Sequence, residues 1–191
     1  MKRLFLTSTI ILGTFALSSC ATISEDECIA GSWQEIGFRD GENGKSRSKL
    51  ADYAKTCLKY DIAPDRATYF RGYEQGLQRY CTYDKGFSTG EYGNTANAEC
   101  QSVPDNGYFA GYEEGRAVYA INQEYRGLIN NYDRTLDDIL AVQARLDTEE
   151  LEPKERKKLR KKLLRLEDNR EDIRIDIRAF ERIHNFPKYK F

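Results

Sequence analysis

Three short stretches of this sequence share one spacing: Gly37-Phe38-Arg39-Asp40-Gly41, Gly72-Tyr73-Glu74-Gln75-Gly76 and Gly111-Tyr112-Glu113-Glu114-Gly115. Each reads glycine, aromatic, two polar residues, glycine. On a helix, glycines four apart stand on one face and let a second backbone come close. An isolated helical glycine costs roughly 1 kcal/mol relative to alanine, so its recurrence calls for a packing reason. A looser copy runs through Gly86, Gly90 and Gly93, and aromatic residues sit just upstream at Trp33, Tyr69 with Phe70, and Tyr108 with Phe109. The spacing predicts the contact seams of a small all-helical domain. A sharper alternative makes Trp33, Tyr69, Tyr73 and Tyr112 a binding face for a glycan or peptide. Residues 86–100 carry Gly and Asn without clear periodicity and read as a loop or short irregular segment.

The N-terminus bears on which compartment that domain folds in. Met1, Lys2 and Arg3 precede an uncharged, mostly apolar run from Leu4 to Leu17. That is the length of a signal-peptide core and too short for a membrane-spanning helix. Leu17-Ser18-Ser19-Cys20 follows and looks like a lipobox, which implies cleavage before Cys20 and a covalent lipid on its thiol. Two or three acyl chains, at about 0.8 kcal/mol per buried CH₂, anchor a protein stably where one is marginal. Ala21 would be the second mature residue. Similarity to Gram-negative sorting patterns then points to the outer membrane, with the body facing the periplasm.

Removing residues 1–19 takes 191 residues to 172, enough for one modest domain and an extension. The 30 basic residues fall to 28 when Lys2 and Arg3 leave, against 31 acidic ones. A near-neutral total argues against nucleic acid as a partner. The expected segments are a leader over 1–19, a tether over 20–27, a disulfide-stapled domain over 28–115 and a helical hairpin with a short tail over 116–191.

Beyond Cys20, four cysteines remain, Cys28, Cys57, Cys81 and Cys100, and an even count in a small exported domain reads as two disulfides. Helical signals near 30–41 and 47–60 flank a polar link at 42–45. Folding that hairpin sets residue 28 opposite residue 57 or 58. Ala63-Pro64-Asp65 marks the next turn close to Cys57, and about sixteen helical residues at 1.5 Å rise carry Cys81 out of its reach. Cys28 with Cys57 and Cys81 with Cys100 is therefore the favoured pairing. With no C-x-x-C and His184 as the sole histidine, zinc is disfavoured and no cofactor is expected beyond the lipid.

The ordered set Cys28, Trp33, Gly37, Asp40-Gly41, Cys57, Ala63-Pro64-Asp65, Tyr69, Gly72, Gly76, Tyr80-Cys81, Gly86-Phe87, Gly90, Gly93, Cys100, Gly111 and Gly115 resembles a family of bacterial lipoproteins known as a domain of unknown function. The resemblance covers about residues 25–116. It implies an envelope lipoprotein and two disulfides, and it brings no catalytic residues.

From Tyr108 to Asp147 apolar residues recur every three or four positions, through Val118, Ile121, Tyr125, Leu128, Tyr132, Leu136, Ile139 and Leu146. Gly127 is a weak point in that helix. Residues 148–152 interrupt the pattern, and Pro153 suits the first turn of a new helix. Leu159, Leu163, Leu166, Arg170, Ile173, Ile177, Phe180 and His184 then alternate four and three, the spacing of a coiled-coil seam. A short link between two such helices gives an antiparallel hairpin. The expected fold is thus all-α: a small disulfide-stapled helical domain continuing into a long antiparallel coiled-coil hairpin.

Seven of the nine residues Lys154–Lys162 are basic. Lys157, Lys158, Lys161 and Lys162 form a candidate interaction patch for anionic head groups or an acidic partner. The plainer reading pairs Lys161 and Lys162 with Asp137 and Asp138 across the seam, with Glu149, Glu150 and Glu152 nearby. His184 reads as a packing residue. Asp40, Glu74, Glu113 and Glu114 could in principle serve a glycan hydrolase, but no spacing singles out a pair. The sequence therefore favours a non-catalytic scaffold or adaptor, tethered to the membrane, whose hairpin contacts an envelope protein or itself. A glycan- or peptide-binding module is the alternative.

Overall fold

The computed structural model describes residues 23–148 and 150–191; Cys20 and its flanking residues lie outside them. Seven α-helices are described: α1 (Glu25–Ala30), α2 (Trp33–Glu42), α3 (Lys49–Cys57), α4 (Arg66–Tyr80), α5 (Tyr83–Glu91), α6 (Tyr108–Leu146) and α7 (Pro153–His184). Short 3₁₀ turns follow α3 (Leu58–Tyr60) and precede α6 (Ala98–Ser102), and the fold is all-helical, with no strand among the described residues. The helix starts follow local chemistry. Ser24 and Glu27 form a capping box on α1, Asp65 accepts from the Thr68 N–H on α4, Thr82 accepts from the Lys85 N–H on α5, and Pro153 opens α7.

Two compact units result. Among the described residues, one holds residues 23–81 together with Glu99–Pro104, and the other holds Thr82–Ala98 and Asp105–Phe191. Helix α6 runs without a break from the glycine motif into the hairpin. Residues 86–100 are not a loop throughout: Gly86 and Gly90 belong to α5, and Cys100 to a 3₁₀ turn. Their periodicity is hard to see because glycine and small polar residues occupy the face that packs.

In the first unit α2 packs on α4, and the glycines are the contact. A Cβ on Gly37 would overlap the carbonyl oxygen of Tyr69, and one on Gly41 that of Tyr73. Reciprocally, Gly72 sits against the carbonyl of Gln34 and Gly76 against that of Phe38. Both contacts advance by four residues in the same direction, so α2 and α4 run parallel and α3 carries the chain back between them. Each glycine lies under the carbonyl three residues before its partner glycine, an approach that permits Cα–H···O contacts. The helix opposite α2 across the glycines is therefore α4, not the α3 neighbour that the sequence hairpin suggested.

The second unit repeats this arrangement. Gly86 and Gly90 of α5 meet the carbonyls of Tyr108 and Tyr112, while Gly111 and Gly115 of α6 meet those of Tyr83 and Phe87. The correspondence extends past the helices. Gly44 and Gly93 follow α2 and α5 at φ +63° and +73°, each under a tyrosine ring, Tyr80 and Tyr119. The Tyr73 hydroxyl donates to the Lys45 carbonyl at 2.6 Å, and the Tyr112 hydroxyl to the Asn94 carbonyl at 3.2 Å. Two equivalent parallel helix pairs are thus built by one internally duplicated motif.

The disulfides are Cys28–Cys57 and Cys81–Cys100, with Cα atoms 5.6 and 5.4 Å apart. Each joins the chain just ahead of the two helices of one pair: α2 and α4 in the first case, α5 and α6 in the second. The return connection, which the glycine contact leaves unconstrained, is closed covalently.

Within the second unit α6 and α7 pair antiparallel: Tyr125 stacks with Phe180 at 5.7 Å, Asn169 reaches Thr135, and Arg145 reaches Glu155. The buried seam of α6 passes through Tyr132, Thr135, Ile139 and Val142, so Thr135 and Val142 replace the half-buried Leu136. Thr135 can take this place because its hydroxyl donates to the Asn131 carbonyl and accepts from Asn169. At the tip, Arg156 donates to the carbonyls of Leu146 and Thr148 and caps the end of α6.

Candidate functional site

The aromatic residues singled out from the sequence are interior. Trp33 is buried, and Tyr69 and Tyr73 have no exposed surface. Tyr112, half-buried, belongs to the second unit. These side chains build the two helix pairs and form no open binding face. Tyr69 and Tyr73 stack at 6.0 Å, with Tyr53 edge-on to Tyr69 at 6.2 Å. At the centre of this array Asp40 is fully buried. It accepts from the Tyr69 hydroxyl at 2.9 Å and from the Lys45 ammonium at 2.9 Å. Burial, followed by the Asp40 charge, pushes the Tyr69 hydroxyl well above its ordinary pKa. Burial and hydrogen bonding to Asp40 do the same to Tyr53. These phenols stay protonated and donate, which satisfies a buried carboxylate. In the second unit Thr89 stands where Asp40 stands, 3.5 Å from the Tyr108 hydroxyl.

The other carboxylates offered for catalysis have separate local surroundings. Glu74 pairs with Arg47 at 3.4 Å, Glu114 accepts from the Tyr83 hydroxyl, and Glu113 is exposed. No group of three or more His, Cys, Asp or Glu among the described residues could hold a metal ion. His184 is exposed rather than packed in the seam, though its ring lies 4.3 Å from that of Phe180.

The hairpin presents the unusual surface. Ile173, Ile177 and Phe180 are buried, whereas Leu159, Leu163 and Leu166 toward the tip remain half-buried. Leu140 and Leu164 are 55% and 61% exposed. Lys157, Lys158, Lys161 and Lys162 are also exposed, and among the described residues none forms an ion pair with Asp137 or Asp138. Pairing across the seam is therefore replaced by Arg145–Glu155 beside the turn, and the patch points to solvent.

A feature that the sequence reading passed over sits at the hairpin base. Asn185 ends α7 in a left-handed conformation and turns the last residues back onto the helices. Buried Glu181 holds them there, accepting from the Tyr189 N–H at 2.6 Å, the Tyr125 hydroxyl at 3.0 Å and Arg178 at 2.7 Å. Phe186 and Phe191 pack on Tyr125 and Tyr132 at 4.6 and 4.8 Å. Burial pushes the Glu181 carboxyl up, but the three donors outweigh it and hold it below the usual carboxylate range. Tail docking is therefore complete above the ordinary glutamate pKa of about 4.3 and is lost as pH falls through the lowered one. The protection factor of the Tyr189 amide, its exchange relative to an unstructured amide at the same pH, should be high at neutral pH and fall in acid, and Glu181→Gln should lower it at neutral pH. Equal protection in both proteins would show that aromatic packing alone holds the tail.

The architecture defines a class: an internally duplicated, disulfide-closed domain of glycine-crossed helix pairs, extended by a coiled-coil hairpin. Residues 32–117 match the model of a family described as "Protein of unknown function (DUF2799)", so the similarity spans both glycine-crossed pairs and ends just after Gly115. No curated protein and no solved structure matches the chain.

Proposed function

We propose that this chain is a lipid-anchored envelope scaffold, tethered through Cys20 to the outer membrane and facing the periplasm, with the α6–α7 hairpin as its docking element. It is non-catalytic in this reading, and its partner is an amphipathic helix of another envelope protein or of a second copy. The observation that carries the reading is the incompletely covered apolar strip near the hairpin tip: half-buried Leu159, Leu163 and Leu166 with exposed Leu140 and Leu164. A two-helix coiled coil covers its seam from one side only, and a further helix would finish the burial. The exposed lysines beside that strip favour an acidic rim on the partner. The lipobox-like Leu17–Cys20 segment and the two disulfides support an exported setting.

The test is Leu140→Glu with Leu164→Glu, two exposed sites whose substitution leaves the buried seam intact. Proteins co-purifying with the tagged chain from crosslinked envelopes are compared between wild type and variant. The scaffold reading expects a defined partner, or the chain itself, to fall at least tenfold with the variant. An unchanged set of partners would contradict it.

A further inference from the structure

The first unit holds a surface groove of about 600 Å³ that the duplicated motif does not need. Its apolar lining is Leu50, Ala51, Ala54, Ala63 and Pro64, with the three alanines exposed. Phe70 also lines it, and two guanidiniums lie over that ring, Arg47 at 5.0 Å and Arg66 at 5.1 Å. Arg66 makes no ion pair among the described residues, and Arg47 makes one long, exposed contact with Glu74 at 3.4 Å. Such surface pairs are weak, so both guanidiniums can accept an anion.

The duplication supplies an internal control. Phe109 in the second unit is the counterpart of Phe70. It meets Tyr108 at 5.3 Å and 78°, as Phe70 meets Tyr69 at 5.4 Å and 77°. In the same register the second unit has Asp105 for Arg66 and Ala96 for Arg47. The motif therefore packs this phenylalanine without arginine. The second unit also lacks a counterpart of α3, the helix that supplies Leu50, Ala51 and Ala54. Among the described residues, α3 and both arginines belong to the first copy.

We infer that this groove is a binding site for the free C-terminus of a short peptide with small apolar side chains. Arginine offers paired N–H donors that match a carboxylate, and a ring beneath the guanidinium fixes its plane. The alanines of the lining accept methyl-sized side chains, and a groove of about 600 Å³ holds a short peptide end. The assignment does not depend on the hairpin reading.

The test uses the full chain with tri-alanine, its C-terminal amide and decanoate, followed by NMR on amides around Phe70. Tri-alanine should shift residues of α3 and the start of α4, and the amide should bind at least tenfold more weakly. Arg66→Gln should weaken tri-alanine at least tenfold. Ala54→Phe, which puts a bulky ring into the lining and leaves both arginines, should abolish binding while the disulfide-closed fold persists by its spectrum. Equal binding of peptide and amide, indifference to Arg66→Gln, or binding of decanoate alone would each overturn the assignment.

Discussion

Gly72→Leu is expected to destroy the first helix pair, seen as loss of the cooperative thermal transition and of dispersion in the NMR spectrum. A side chain there would run into the carbonyl of Gln34, with the Phe38 amide also within van der Waals distance. Both groups are backbone inside another helix, so no side chain can rotate away. Overpacking a core typically costs roughly 1–3 kcal/mol, and a site with no relaxation belongs at the upper end or beyond. Gly111→Leu should act likewise on the second pair, against Tyr83. The internal control is Gly127, where an added Cβ meets nothing within 4 Å. Gly127→Ala should raise stability by about 1 kcal/mol through helix propensity. A destabilising Gly127→Ala, or a tolerated Gly72→Leu, would show that the glycines are not the contacts described.

Loss of the Cys28–Cys57 disulfide, by paired substitution to serine, should lower stability by about 3–4 kcal/mol on the loop-entropy model. Its 29-residue separation exceeds the 19 of Cys81–Cys100. The second bridge should therefore cost slightly less, by about 0.4 kcal/mol, if chain entropy dominates. Chemical denaturation of the two double variants measures both. A negligible effect of either bridge would mean that the glycine seam suffices.

Much of this was legible in the sequence because its signals are local and periodic. The G-x-x-x-G spacing marks the seams, the four-three alternation of α7 marks the coiled coil, and Pro153 marks its start. The disulfide pairing follows from a folded-back helical segment that sets residue 28 near 57 and from the helix length that carries Cys81 away. What escaped was set by partners remote in sequence. Trp33, Tyr69 and Tyr73 look like a ligand face when α2 and α4 are read separately, and become core once the glycines bring the helices together. Thr135 displaces Leu136 from the seam because Asn169, across the hairpin, answers its hydroxyl. Glu181 is one acid among many until the chain turns back at Asn185 and sets Tyr189 beside it. Helix α5 was obscured by the glycines and small residues that let it pack. The arginine groove needed the duplication, since only a second copy without Arg47 and Arg66 separates their role from that of the fold.

The measurement that tests the scaffold account most directly is photocrosslinking in intact cells, with a photoreactive residue at position 164 on the hairpin and, as control, at exposed position 71. The account predicts a discrete adduct from position 164, lost when Leu140 is also replaced by Glu, and none from position 71. An adduct of twice the chain's mass would identify self-association, and any other discrete mass a distinct envelope partner. No adduct at 164, or the same adducts from both positions, would contradict the claim that the hairpin is the docking element.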